Sequence, residues 1–189
     1  MKLNEPLIPD YEINGKKIEL DLSFDNVLDV LEVLNSPDFE EYDKLDLMIE
    51  LLVSNKVELT LEEQSEVYLY VIDTYIQPDD KVFIERDIMG NPMPDQSEKV
   101  IDFEKDAKFI FASFFTLGIN LFEQQGKLTW MEFQALMSSL PDDSIMSRII
   151  AIRQWTPQSG DSLEHKDNME KLQKKYSLSE VEREEVDDG

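Results

Sequence analysis

With 189 residues, 42 acidic against 18 basic side chains and a formal net charge of −24, the chain lacks the clustered cations that nucleic-acid phosphates or an anionic bilayer would attract. It has no cysteine, which excludes disulfides, thiolate chemistry and cysteine-ligated zinc. A hydrophobic fraction of 41% with ten phenylalanines supports one folded domain or one domain with an appendage, and no apolar run is long enough to span a membrane.

The charge is concentrated early: residues 1–100 hold 25 acids against 8 bases, and residues 101–155 hold 7 against 5. A basic protein partner is the expectation that follows. The first ten residues have neither a basic head nor an apolar h-region, so a cytoplasmic protein is expected.

In chain order, Tyr11 and Ile13 before Asn14-Gly15, then Ile18, Leu20 and Leu22 after it, alternate about a dipeptide suited to a type I′ turn and predict a hairpin. Val27, Leu28, Val30, Leu31 and Leu34 have helical spacing, with Ser23 or Asp25 as cap and Pro37 as stop. A second helix follows, with Phe39, Tyr42, Leu45, Ile49, Leu52 and Val53 as its apolar face and acids in its first turn, where the helix dipole favours them. Thr60 and Glu63 form a capping box for a third helix through Val67, Tyr68, Val71, Ile72 and Tyr75, ending before Pro78. Residues 77–101, with Pro78, Gly90, Pro92 and Pro94, read as a connecting loop and hinge.

Asp102 is the expected cap of a central helix whose apolar arc holds Phe103, Ala107, Ile110, Phe111, Phe114, Phe115 and Leu117, with Phe109 off the arc and Gly118 as the left-handed stop. Five of the ten phenylalanines lie between Phe109 and Phe122, a run without charge. Thr129 and Glu132 make a second capping box, stapled by Leu128 and Phe133, and that helix ends at Pro141. Residues 142–144 cap a helix with Ile145, Met146, Ile149, Ile150 and Ile152 on its apolar face and Arg153 projecting into it. Beyond Thr156 the composition turns polar, with a further helix available around Met169, Leu172 and Tyr176.

The expected fold is therefore mainly α: two small helical lobes joined by a long loop, with an N-terminal β-hairpin and a charged C-terminal tail. The boundaries are 1–76 for the hairpin and acidic lobe, 77–101 for the loop, 102–155 for the helical core and 156–189 for the tail.

Chemistry-bearing patterns are scarce. Residues 121–132 overlay a calcium loop with Gly126 at its sixth position and Glu132 at its twelfth, but the first position is Leu121, which offers no oxygen. The single histidine, His165, lies in the tail, and no phosphate loop or nucleophile elbow is present, so no enzyme, metal or cofactor is expected. An arginine on an apolar arc needs a carboxylate, which makes Arg153 with Asp106 or Asp142 the candidate structural ion pair. Phe109, with Ser113, Trp130, Arg148 and Trp155, makes up the candidate set of partner or self-association contacts.

Asp102-Phe103, Asp106, Ile110, Ser113-Phe114, Gly118-Ile119-Asn120-Leu121, Leu128, Trp130, Phe133, Leu140-Pro141 and Ile149 to Arg153 together resemble the gene-product-fifteen family of tailed phages and Gram-positive prophages. Asn120 stands where that pattern has an Asp, and Thr129 where it has a His. The resemblance implies a tail-module protein encoded between the major tail protein and the tape measure. It carries the expectation of a tail assembly chaperone in the host cytoplasm, absent from the mature virion. Such a protein would bind the tape measure protein, self-associate into an oligomer or spiral, and could touch the major tail protein. The competing expectations are an acidic DNA mimic that inhibits a nucleic-acid enzyme, and a minor structural tail component.

Overall fold

The computed structural model describes residues 11–76 and 100–179, together with the isolated positions 4 and 7. The predicted loop 77–101 lies outside the described residues except for its last two, and so do the last ten residues of the predicted tail. The described chain is mainly helical with one small antiparallel hairpin, as the sequence predicts.

The hairpin pairs β1 (Tyr11–Ile13) with β2 (Lys16–Ile18) in the register Tyr11 to Ile18 and Ile13 to Lys16. Asn14 and Gly15 both have positive φ, at 50° and 77°, as a type I′ turn requires. Three helices follow: α1 (Phe24–Asn35), α2 (Glu41–Leu52) and α3 (Leu61–Val71), the last running into a π turn at Ile72–Ile76. After the undescribed stretch come α4 (Ala107–Thr116), a short 3-10 turn (Leu121–Glu123), α5 (Trp130–Ser138), α6 (Ile145–Arg153) and α7 (Leu163–Tyr176).

These elements form two compact units. One comprises residues 1–93 and 122–138, the other residues 94–121 and 139–189. The expected helical core of 102–155 is thus divided, because α5 packs in the first unit, against α1 and the π turn. The reason lies in the backbone. Trp130 N–H donates to the Leu22 carbonyl (2.7 Å) and Phe24 N–H to the Leu128 carbonyl (2.9 Å), an antiparallel bridge centred on Ser23 and Thr129.

The segment 17–24 is a spine in that unit. On its other side Asp21 N–H donates to the Leu52 carbonyl and Ser54 N–H to the Glu19 carbonyl, while the Asn55 side chain bonds both Lys17 and Glu19. Its irregular backbone is satisfied from both flanks, which lets Ile18, Leu22, Ser23 and Phe24 be buried. Around it Ile18, Leu22, Phe24, Val27, Val30, Leu52, Val67, Val71, Trp130 and Phe133 form the core. On α2 the buried face differs from expectation: Met48, Ile49 and Leu52 point inward, whereas Phe39 and Tyr42 are exposed. Residues 39 and 40 precede α2, so helical spacing does not extend to Phe39.

The hairpin is fastened to α3 through the predicted capping box. Glu63 bonds the Thr60 N–H and also takes Lys16 Nζ at 2.6 Å and Asn14 Nδ2 at 3.1 Å, one carboxylate serving both the helix end and the turn. Those donors, Lys16 first, hold its pKa down at about 2. A depressed carboxylate contributes stability that is complete above its unfolded value and is lost as pH falls through the folded one. Between pH values of about 4.5 and 2, therefore, Glu63→Gln is expected to unfold with a shallower pH dependence than the parent chain, measured as urea midpoints across that window. Parallel pH profiles would show that Glu63 is not linked to folding.

In the second unit α4 begins later than predicted. Asp102 caps a turn instead, accepting from Glu104 N–H and Lys105 N–H, and the helix starts at Ala107 with Asp106 in the cap position. Asp106 makes no capping bond with its side chain, which is turned toward α6. Gly118, at φ 82°, ends α4 as predicted: Ile119 N–H reaches the Phe114 carbonyl and Gly118 N–H the Phe115 carbonyl, a Schellman arrangement.

Candidate functional site

The second unit is built from α4, α6 and α7, and four of the five candidate contact residues lie in it. The inward face of α4 is Ile110, Ser113 and Phe114. Ser113 is buried; its hydroxyl donates to the Phe109 carbonyl (2.8 Å) and accepts from Met146 N–H (3.1 Å). That amide belongs to the first turn of α6, where helix geometry leaves N–H groups without intrahelical partners. Ser113 is thus a joint between two helices and offers nothing to a partner.

Seating Ser113 inward rotates the expected arc outward. Phe115 is 58% exposed and Leu117 45%, although both were expected in the core, and Phe111 is half-buried with its ring stacked on Phe115 at 5.6 Å. Phe109, the residue expected to reach out, is half-buried and meets the ring of Tyr176 edge-on at 6.0 Å, with Lys108 Nζ over its face. The tail helix expected around Tyr176 does form, and it is α7 that covers Phe109.

The predicted ion pair is present with Asp106. Arg153 Nη1 and Nη2 reach the two carboxylate oxygens at 2.6 and 2.7 Å, with the Asp106 side chain fully buried and that of Arg153 8% exposed. Arg153 also donates from Nε to the Tyr176 carbonyl and from Nη1 to the Val100 carbonyl, both at 2.8 Å. One guanidinium therefore gathers the segment before α4, the first turn of α4 and the last turn of α7. Asp142, the alternative partner, is exposed in the turn ahead of α6.

A second cation lies just beyond the end of α7, where Lys105 Nζ donates to the Leu178 carbonyl at 2.8 Å. Positive groups there complement the negative end of the helix dipole. Near the start of the helix His165 meets half-buried Trp155 edge-on at 5.8 Å, and in its last turn Gln173 donates to the Arg153 and Trp155 carbonyls.

Trp130 belongs to the first unit and is 3% exposed, stacked on Phe133 at 5.5 Å, so it is core and not contact surface. Arg148 is exposed on α6. Among the described residues of the first unit the large exposed apolar side chains are Phe39, Tyr42, Leu61, Leu69 and Phe122, none of which the sequence singled out as contacts. No periodicity separates such residues from core ones; only the rotation of each helix does.

The calcium-loop overlay resolves into ordinary structure. Gly126, at φ 66°, donates its N–H to Asp25 Oδ1, and the Glu132 carboxylate is held by the Thr129 N–H and hydroxyl as a cap for α5. Among the described residues no group of three or more His, Asp and Glu side chains is arranged to hold a metal ion, and no helix is long and apolar enough to cross a membrane.

No curated protein and no solved structure matches the chain. The family described as bacteriophage Gp15 protein does, over residues 3–178, which reaches into both compact units and includes every element described above. The chain belongs to that family and is a phage protein of the head–tail morphogenesis kind.

Proposed function

We propose that the chain is a tail assembly chaperone: in the host cytoplasm it binds the tape measure protein, keeps it soluble while the tail tube forms, and is left behind by the mature virion. It works as a multimer, with no catalytic step and no cofactor. The observation that carries this reading is the pair of exposed apolar side chains Phe115 and Leu117 at the end of α4, with Phe115 stacked on half-buried Phe111, on a chain of net charge −24. An exposed Phe115 backed by Phe111 and flanked by Leu117 offers an apolar helix of a client a place to bind, and the acidic surface keeps the loaded complex in solution and favours basic client segments.

Co-expression with the tape measure protein tests it, with light scattering on the soluble fraction. The expected result is a large soluble complex containing many copies of this chain. Phe115→Glu is expected to reduce the rescued tape measure severalfold while costing about 1 kcal/mol or less in stability, since the side chain is mostly exposed. A tape measure that stays insoluble beside a folded parent chain removes the chaperone reading, and recovery of the chain from purified virions would make it a tail component instead.

A further inference from the structure

Helix α2 breaks two local rules on its solvent side. Phe39 occupies the position before the N-cap Glu40, where an apolar residue ordinarily packs on another at the fourth helical position. Here that position is Lys44, whose ammonium turns to the Leu34 carbonyl at 3.1 Å, and Phe39 is left exposed together with Tyr42. The second rule concerns charge. Acids suit the first turn of a helix, but α2 also exposes Asp46 midway and Glu50 in its last turn, where the helix dipole disfavours a carboxylate and the turn holds no base. Local rules broken together on one element point to a demand other than stability.

The side chains concerned share a face. At about 100° per residue, Tyr42, Asp46, Ile49 and Glu50 fall within an arc of about 100°. At its far end that face meets an open cleft of about 170 Å³, with Ile49, Val53, Val57 and Leu59 as its apolar lining and Glu50 and Lys56 among its polar groups. Such a volume has room for one leucine or one aromatic ring. Tyr42 and Ile49 are two helical turns apart, about 10 Å along the axis. The face thus runs from an exposed aromatic pair to an apolar cleft, edged by carboxylates.

We propose that this face of α2 docks a cationic amphipathic helix of a partner protein. One apolar side chain enters the cleft, a second lies seven positions away against Phe39 and Tyr42, and lysines or arginines line up with Asp43, Asp46 and Glu50. Charge selects this occupant: residues 38–66 hold ten acids against two bases, which favours a cation and disfavours a second copy of a chain at −24. Exposed rings add to the preference, since their faces attract ammonium and guanidinium groups. Spacing selects a helix, because same-side residues of a strand recur about every 7 Å and miss anchors about 10 Å apart. For the identity of its partner the proposal rests on the chaperone reading above; the face itself is described without any client.

The probe is a labelled alanine–lysine peptide of about 18 residues, long enough to form a helix, with leucines seven positions apart. Fluorescence anisotropy is expected to show binding to the full chain that Tyr42→Ser weakens about tenfold and Asp46→Lys/Glu50→Lys weakens further. Urea midpoints of these variants should stay close to that of the parent, since all three side chains are exposed. Phe115→Glu, in the other unit, should leave peptide binding unchanged. A peptide of the same composition with its leucines five positions apart, on different faces of its helix, should bind about tenfold more weakly. No binding by the parent chain, equal affinity for the two peptides, or equal affinity of the parent and the charge-reversed variant would overturn the docking face. Self-association that Tyr42→Ser abolishes would overturn the occupant in favour of a second copy. Tape-measure rescue is a separate readout: peptide binding without rescue keeps the face and drops the chaperone reading, whereas rescue without peptide binding does the reverse.

Discussion

Asp106→Ala is expected to destabilise the second unit by about 3–5 kcal/mol, the cost of leaving a buried charge without its counter-charge. The carboxylate is fully buried and bidentate to Arg153, so removing it strands a guanidinium that is 8% exposed. Asp102 N–H, which also bonds Asp106 Oδ2, loses its acceptor in the same step. The two tryptophans lie in different units, Trp130 in the first and Trp155 in the second, so each unit can be followed alone after Trp130→Phe or Trp155→Phe. The urea midpoint reported by Trp155 should fall in Asp106→Ala. The double variant Asp106→Leu/Arg153→Met should recover much of the loss, because an apolar pair removes both desolvation costs at once. A single substitution that costs less than about 1 kcal/mol, the range of exposed pairs, would mean that water reaches the pair.

Phe133→Ala should cost the first unit about as much, about 3–5 kcal/mol, for a different reason. Its ring is 1% exposed and lies between those of Phe24 at 5.1 Å and Trp130 at 5.5 Å, with interplanar angles of 13° and 22°. Truncation leaves a cavity between α1 and α5 that rigid neighbours fill only in part. Loss of midpoint in urea with a red-shifted Trp130 emission is the expected signature, and Phe133→Leu should retain most of the stability. If Phe133→Ala were nearly neutral, α5 would not be the clamp on α1 that the packing describes.

What could be read from the residues was whatever is local. Both capping boxes, the Asn14-Gly15 turn and the Gly118 stop are set by side chains within five positions of one another, and all are present. The Arg153–Asp106 pair was also legible, since an arginine on an apolar helix face has few other solutions. The membership of α5 was not. Its tie to the first unit is the backbone exchange between Leu22–Phe24 and Leu128–Trp130, and main-chain groups leave no mark in a sequence. The contact surface was misjudged for a related reason: the inward face of α4 is Ile110, Ser113 and Phe114, which leaves Phe115 exposed, and Phe109 is covered by a helix more than fifty residues downstream.

That same backbone bridge has a consequence for synthesis. The partners of Leu22 and Phe24 lie more than a hundred residues downstream, so the first unit cannot close its core until α5 has left the ribosome. At roughly 5–20 residues per second that interval is on the order of ten seconds, long against the formation of a helix. Throughout it the growing chain displays the apolar side of α1, including Phe24, which α5 later covers. The heavy negative charge of the first hundred residues, 25 acids against 8 bases, then acts before the fold exists, keeping neighbouring nascent chains apart on a polysome.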